Sequence, residues 1–310
     1  MTHRPGDRVG MAIALSLLSL LLFDMMGLII KHLSPVYTAA ELSAYRNLIG
    51  LIPSIIALWS ARGWHESGRK MRMRQWPLAI SRGLVITLAQ FLFYYSLGRM
   101  AFATASTITY ANALFMTALA VPILGEKVGA TRWFAVLLGF GGVLLVMKPG
   151  SDSFSYDALA PLGAAFLYAL AGVTARRMDS DVPSPLINLY SSTTTLVGAI
   201  GLTVWMGGFS DLRATTDLLW IVGMGIFGGT AVLCMVVSFR MTEQSNLAPF
   251  SYFGIPLAFV MGWLFFDEAP FGDLFPGAIL VAAGGLLVVW RERRLRSRCS
   301  CSPVREAGTA

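Results

Sequence analysis

Ten apolar runs, each long enough to cross a bilayer, follow one another along the chain. In the first half they cover about 10–31, 36–60, 77–98, 101–123 and 131–148. In the second half they cover about 156–177, 185–207, 217–240, 245–266 and 271–290. A membrane helix needs about 20 predominantly apolar residues, and runs of ~18 or more without charge blocks are read as spans. The connections are short and carry Gly, Pro, Ser or charges, as in "HLSPVY", "KPGSDSFSYD" and "GGFSDLRATTD". The fold class expected is therefore all-α integral membrane, with ten transmembrane helices. Composition agrees: 13% of the residues are charged and 55% are hydrophobic, whereas a soluble domain carries about 25% charged residues. The first run, Gly10 to Ile30, follows Arg4 and Arg8. It is longer than a signal-peptide core and lacks a small-residue cleavage site, so it reads as the first span.

The basic residues give an orientation. Arg4 and Arg8 precede span one, and Arg62, Arg69, Lys70, Arg72 and Arg74 follow span two. Lys127 and Arg132 follow span four, Arg176 and Arg177 end span six, and Arg291, Arg293, Arg294, Arg296 and Arg298 follow span ten. All fall on one side if the chain crosses ten times, while Asp152, Asp157, Asp211, Asp267 and Asp273 fall on the other. By the positive-inside rule, both termini are expected to be cytoplasmic in a bacterial inner membrane. The net charge of +7 is thus explained by topology. No basic stripe lies on a polar, aromatic-bearing domain, so no nucleic-acid partner is expected. Cys234 sits in an apolar span, and Cys299 and Cys301 sit in the tail. They are too few for a closed metal site and read as free thiols.

The chain repeats itself. "PILGEKVGATRWFAVLLGFGGVLLVMKPG" ends span four and continues through span five. "WLFFDEAPFGDLFPGAILVAAGGLLVVWR" does the same for spans nine and ten. A constant offset of 142 pairs Gly83 with Gly225, Ser96 with Ser238, Tyr110 with Tyr252 and Glu126 with Glu268. The Gly141-Gly142 and Gly284-Gly285 pairs follow the acidic turns. A slightly different offset relates the first spans and pairs Gly27 with Gly172. Two five-helix units are expected, at 10–148 and 156–290, followed by a cytoplasmic basic tail at 291–310. Five is odd, so the second unit enters the membrane from the opposite side. Such inverted repeats are common in secondary transporters, with the solute site near the midplane between the halves.

At these segments the chain resembles a family. "LGEKVGATRWFAVLLGFGGVLLV", "FDEAPFGDLFPGAILVAAGGLLVV", "AELSAYRNLIG", "ISRGLVITLAQFLFYYSL" and "LAPFSYFGIPLAF" are similar to the drug/metabolite transporter superfamily, EamA type. The likeness covers nearly the whole chain and leans to the branch of S-adenosylmethionine, riboflavin and metallophore-type carriers. It implies a ten-helix carrier of a small solute. One departure is Asp267 where the first copy has Gly125.

Other chemistry is missing. No GxxxxGK[ST] loop is present, and "LGEKV" lacks the spacing to cradle phosphates. "GMGIFG" lies inside an apolar span without a preceding strand. Its reading is close helix approach at Gly225 and Gly229. His3, His32 and His65 lie near span ends or in loops, so no catalytic Ser/His/Asp set or metal cluster can be built in the membrane. No cofactor, metal or enzymatic activity is expected, and transport would draw on a gradient.

Candidate solute contacts are mid-depth polar and aromatic residues. Tyr110 and Asn112 lie in "ATASTITYANALF", and Ser251 and Tyr252 lie in its repeat partner "NLAPFSYFGIP". Gln90 and Tyr94 come from span three and Tyr168 from span six. A tyrosine offers a ring and a hydroxyl, and a buried amide needs a partner. Pro249 and Pro256 lack N–H groups and can leave carbonyls free in a kinked helix. Tyr110 and Tyr252, as repeat mates, are expected to face each other. Hydroxyls such as Thr104 and Ser106 more often bond their own helix.

Four ionisable residues lie within the first three spans: Asp24, Glu41, Arg46 and Arg82. At about 1.5 Å per residue, Asp24 and Arg46 lie at matching depth on consecutive antiparallel helices. They are expected either to form a structural ion pair or to leave Asp24 free for coupling. Lys31 and Glu41 form a second candidate pair nearer the surface. The function expected is secondary transport of a vitamin-like, nucleoside-like or S-adenosylmethionine-like solute by alternating access. The alternative is export of amino acids or toxic amines, and a membrane scaffold or sensor is a more distant reading. Membrane lipid is the other expected partner, and a monomer and a homodimer are both compatible with the sequence.

Overall fold

The computed structural model describes residues 5–60, 64–65, 68, 74–125, 129–147, 155–175, 177, 184–241, 247, 250, 252–268, 272, 275–284 and 286–287. Ser251, Pro249, Glu126, Gly285, the cysteines at 299 and 301, most of the basic loop residues and the tail lie outside the described residues. Among the described residues the chain is all helical, without strands. The helices are α1 (Pro5–Leu33), α2 (Ala39–Trp59), α3 (Trp76–Leu97), α4 (Phe102–Thr109) and α5 (Asn112–Leu124). They continue with α6 (Ala130–Met147), α7 (Leu159–Ala175), α8 (Ser184–Trp205), α9 (Thr215–Met241) and α10 (Gly254–Phe266). Residues 277–284 are also helical.

Among the described residues, five helical stretches are long and apolar enough to cross a membrane: Val9–Leu33, Trp76–Leu97, Phe102–Leu124, Tyr156–Ala175 and Thr215–Met235. Large apolar side chains stand on the outside of the bundle, among them Leu137, Leu219 and Leu264. A soluble surface rarely carries so much contiguous apolar area. Exposed tryptophans lie near helix ends at Trp59, Trp76, Trp133 and Trp205, where an indole ring suits the headgroup layer.

Local chemistry sets the helix ends. Ser34-Pro35 closes α1, since the residue before a proline is pushed out of the helical region. Thr38 opens α2 with a capping box: the Glu41 N–H donates to Thr38 Oγ1 at 3.3 Å, and the Thr38 N–H donates to Glu41 Oε2 at 2.6 Å. Gly125 and Asp267 both end their helices in the left-handed conformation, at φ 69° and 54°. The cap N–H of Gly125 donates to Ala120 and Val121 carbonyls, and that of Asp267 to Gly262 and Trp263 carbonyls. The two caps differ by the same 142-residue offset seen in the sequence. Asp tolerates this conformation better than most side chains, which accounts for the departure from glycine.

Span four is not one continuous helix. It breaks at Tyr110-Ala111, between α4 and α5. There the Ala111 N–H donates to Ile108 O at 3.0 Å and the Ala113 N–H to Tyr110 O at 3.4 Å. These are i→i+3 bonds, a local 3₁₀ tightening. At Tyr252-Phe253 the Phe253 N–H donates to Phe250 O at 3.0 Å and the Ile255 N–H to Tyr252 O at 3.1 Å. Pro256 has no N–H to offer Tyr252 O, so the tightened bond replaces it. The first break takes the same form with Leu114 in the proline's place.

Packing follows small residues. α1 packs along α9, α2 along α8 and α9, α3 along α7 and α8, and α5 along α7. The GxxxG of α9 works as a contact face. A Cβ on Gly225 would collide with Ile49, and one on Gly229 would stand 2.6 Å from Pro53 and 3.2 Å from the Gly50 Cα. α6 meets residues 277–284 through glycine in the same way. A Cβ on Gly142 would lie 2.6 Å from Gly277 O and 2.7 Å from Val281 N. A Cβ on Gly284 would lie 2.7 Å from both Ala135 O and Gly139 N. Two apolar cores result. One gathers Ile108, Leu114, Val143, Tyr252 and Val281. The other gathers Ile30, Leu42, Leu97, Phe102 and Met224.

One end of the bundle is held by polar contacts between its first and second halves. Lys31 Nζ reaches Glu268 Oε1 at 2.6 Å and Oε2 at 2.8 Å, and donates to Met100 O at 2.8 Å. Glu268 Oε2 also accepts from the Phe102 N–H at 3.0 Å, at the start of α4. The expected Lys31–Glu41 pair is therefore not formed, because Glu41 is used as a cap and as acceptor for the Ser210 N–H. Beside it, the Tyr37 hydroxyl donates to Asp217 Oδ2 at 2.8 Å.

Two outcomes follow from this packing. Gly142→Val should lower stability by at least about 1–3 kcal/mol, since its neighbours are backbone. Gly141→Ala, with nothing within 4 Å of its Cβ, should leave melting in detergent unchanged; equal losses would contradict the packing. A double-mutant cycle of Lys31→Met and Glu268→Gln should give a coupling of about 1–3 kcal/mol by unfolding in mixed micelles. Strict additivity would remove the clasp from the fold's support.

Candidate functional site

The two helix breaks meet inside the bundle. The Tyr110 hydroxyl stands over Gly254, the first residue of α10, so closely that a Cβ there would collide with it. Tyr252 is buried in the core against which Tyr110 packs. The repeat-mate tyrosines thus belong to one cluster, each at the interruption of its own span. Asn112 opens α5 directly after the first break. Its side chain makes no hydrogen bond among the described residues, so its amide is free for another partner.

Gln90 sits on α3 and is almost fully buried. Its Oε1 accepts from Asn47 Nδ2 at 2.7 Å and from Ser43 Oγ at 2.9 Å. Ser43 and Asn47 lie one helical turn apart on α2, and Asn47 Nδ2 also donates to Ser43 O at 2.7 Å. This α2–α3 network was not anticipated from sequence. The signal was available in "SAYRN", where two polar residues at i, i+4 flank an arginine.

Asp24 and Arg46 are both buried, 7% and 8% exposed, but the structure does not join them. Among the described residues no carboxylate lies within 4.0 Å of Arg46. Arg46 instead donates to Asn47 Oδ1 at 2.9 Å and to Gly228 O of α9 at 3.4 Å. The expected ion pair is corrected on this point: the guanidinium reaches a neighbouring side chain and the Gly228 carbonyl of α9 in place of Asp24. Asp24 Oδ2 has no hydrogen-bond partner. Asp24 lies within electrostatic reach of Tyr110, and Arg46 within reach of Tyr94 and Tyr168. Arg82 does not stand free either: its Nε donates to Ala171 O at 3.0 Å and a terminal nitrogen to Ser191 Oγ at 2.7 Å. The hydroxyls of Thr109 and Thr117 bond carbonyls of their own helices, as hydroxyls in apolar helices usually do.

What emerges is a buried polar tract through apolar helices. Asp24 lies on α1, which packs against α4 and α10 at the breaks, and Arg46 joins Asn47, Gln90 and Ser43 in one hydrogen-bonded network. Among the described residues no group of three or more His, Cys, Asp or Glu could hold a metal ion. The arrangement offers hydroxyls, amides, rings and two unlike charges, which suits binding of an organic solute.

A riboflavin transporter of Vibrio cholerae serotype O1 is 30% identical over 56% of this chain and 58% of its own length. The match to this first relative thus spans little more than half of its length. An S-adenosylmethionine uptake transporter of Rickettsia bellii is 24% identical over 71% of this chain and 74% of its own. A pseudopaline exporter of Pseudomonas aeruginosa is 24% identical over 91% of this chain and 95% of its own. A crystal structure 19% identical superposes with a TM-score of 0.64, covering 92% of this chain and 98% of the other, which is a likeness of fold. These relatives are transporters, not enzymes. The EamA-like transporter family matches residues 10–148 and 156–290, and the chain, a multi-pass membrane protein, belongs to that family.

Proposed function

We propose that the chain is a ten-span secondary transporter of a small organic metabolite in a bacterial inner membrane, working by alternating access. Residues 10–148 and 156–290 are its two inverted five-helix repeats. Both termini and the basic tail at 291–310 are cytoplasmic, as the lysine and arginine pattern supports. Tyr110, Tyr252, Asn112, Gln90, Ser251 and Tyr168 line the solute site between the halves.

The observation that carries this reading is the matched pair of helix breaks. In lipid every backbone polar group needs a partner, so an interrupted span is tolerated only in protein or against a cavity. Carriers with inverted repeats place such interruptions at the solute site. Here the breaks share hydrogen bonds at one offset: Ala111 to Ile108 with Phe253 to Phe250, and Ala113 to Tyr110 with Ile255 to Tyr252. The packing supports the same pseudo-twofold. The α1–α9 contact has its mate in α7–α3, and α2–α9 has its mate in α8–α3. Gly142 against Gly277 and Val281 is mated by Gly284 against Ala135 and Gly139.

For the solute, the relatives named for riboflavin and S-adenosylmethionine support a ring-bearing compound of mixed polarity. The lining of tyrosines and amides supports the same class. The second reading, export of amino acids or amines, is favoured by the near full-length likeness to an exporter. Gradient coupling follows from the lack of a phosphate-cradling loop in the sequence.

Proteoliposomes loaded for counterflow with radiolabelled riboflavin or S-adenosylmethionine, with and without a pH gradient, test this function. At least one solute should exchange. Tyr110→Phe and Asn112→Ala should each raise the apparent KM by about 3–10-fold, the worth of one hydrogen bond. Absence of exchange for every ring-bearing metabolite tried would overturn the substrate class.

A further inference from the structure

We propose that Asp24 and Arg46 are the two charged poles of the solute site, and that the transported solute carries a cationic and an anionic group together, as an amino-acid moiety does. The proposal rests on the transport reading above and names the chemistry of that same site. Its first ground is the state of the two charges. Both residues are more than nine-tenths buried. Asp24 Oδ2 and Arg46 Nε each lack any hydrogen-bond partner. The partners Arg46 does have, Asn47 Oδ1 and Gly228 O, are neutral. A charge held in a membrane helix normally finds an opposite one, and a buried charge without a counter-charge is costly.

The second ground is that this fold does satisfy a partly buried cation where the charge serves structure. Lys31 is held by both oxygens of Glu268 and by Met100 O. Asp24 and Arg46 sit on the consecutive helices α1 and α2, yet form no bridge to each other. Two opposite charges left apart in one buried tract are compensated economically by a ligand that brings both complements.

The third ground is location. α1, which carries Asp24, packs against α4 and α10, the two helices that adjoin the breaks. Arg46 donates to Asn47 Oδ1, and Asn47 in turn donates to Gln90 Oε1. The two poles therefore lie on elements that surround the same uncharged lining. A solute cation would sit at Asp24, its carboxylate would pair with the Arg46 guanidinium in exchange for the neutral partners that group now holds, and its ring or apolar body would rest among the tyrosines. Charge-assisted hydrogen bonds of this kind are about twice as strong as neutral ones, so most of the selectivity would come from these two contacts.

Three probes isolate the claim. S-adenosylmethionine carries an ammonium, a sulfonium and a carboxylate. Methylthioadenosine keeps the nucleoside and the sulfur, as a neutral thioether, and lacks both the amino-acid end and the sulfonium charge, while riboflavin serves as an uncharged ring. Binding to the full-length purified chain is read by ligand-induced thermal stabilisation, and transport by counterflow. S-adenosylmethionine should bind at least about 10-fold more tightly than methylthioadenosine. Asp24→Asn and Arg46→Gln should each erase that preference while leaving the affinity for methylthioadenosine and riboflavin unchanged. Arg46→Lys, which keeps a cation, should retain part of it and guards against a variant that fails to fold. Equal or tighter binding of the neutral probes would overturn the proposal. So would equal weakening of all probes by the variants. Loss of the pH-gradient dependence of riboflavin transport in Asp24→Asn but not in Arg46→Gln would overturn it too, by making Asp24 a proton carrier. Riboflavin exchange without any S-adenosylmethionine binding would defeat this proposal and leave the transport reading standing. Silence from all three probes would defeat the transport reading itself.

Discussion

A bilayer offers no water to a broken helix. Each backbone N–H and C=O left open in hydrocarbon costs several kcal/mol, and this constraint organises the whole molecule. Long apolar helices satisfy their own backbones and can face lipid with leucine, valine and tryptophan. The spans that break at Tyr110 and Tyr252 cannot face lipid at the break. They are brought against each other, with Tyr110 seated over Gly254 and Tyr252 inside the same core. The proposed site rests on that enclosure: wherever two spans are interrupted together, the protein must provide neighbours for the backbone.

Close approach of the surrounding helices depends on glycine. Gly229 against Gly50 and Pro53, and Gly142 against Gly277, let backbones meet where side chains would hold them apart. Without hydrophobic drive between helices in lipid, such van der Waals contact is the main source of association. The Lys31–Glu268 clasp adds a directional contact at one end. Glu268 accepts from the first N–H of α4 while holding the last turn of α1, so one carboxylate joins three elements. A carrier that alternates access must loosen contacts between its halves, and the clasp is a polar contact that water can replace.

Much of this was legible in the sequence, for physical reasons that can be named. The ten runs were visible because lipid demands length and apolarity in each span. The repeat was visible because Tyr110 and Tyr252, and Glu126 and Glu268, keep one spacing. The GxxxG at Gly225 and Gly229 was legible because small residues four apart face one neighbour. Pro256 announced an interruption in span nine. The break in span four was not legible, because Ala111 and Leu114 are ordinary helix residues and only tertiary enclosure keeps the tightened turn. The partner of Lys31 was not legible either. Glu41 is near in sequence, but Thr38 claims it for a cap, while Glu268 arrives from the other half. Depth matching of Asp24 and Arg46 did not yield their pairing, because depth says nothing of which way a side chain turns around its helix.

The central claim is that the paired breaks border a solute-accessible site between the halves. Its most direct test is a single cysteine at Asn112→Cys, in a chain with Cys234, Cys299 and Cys301 replaced by serine. A membrane-impermeant thiol reagent should modify it, and the transported solute should slow that reaction. A cysteine at lipid-facing Leu219 should stay unmodified throughout. If Asn112→Cys is as unreactive as Leu219→Cys from both faces of the membrane, the breaks border no such site and the account fails.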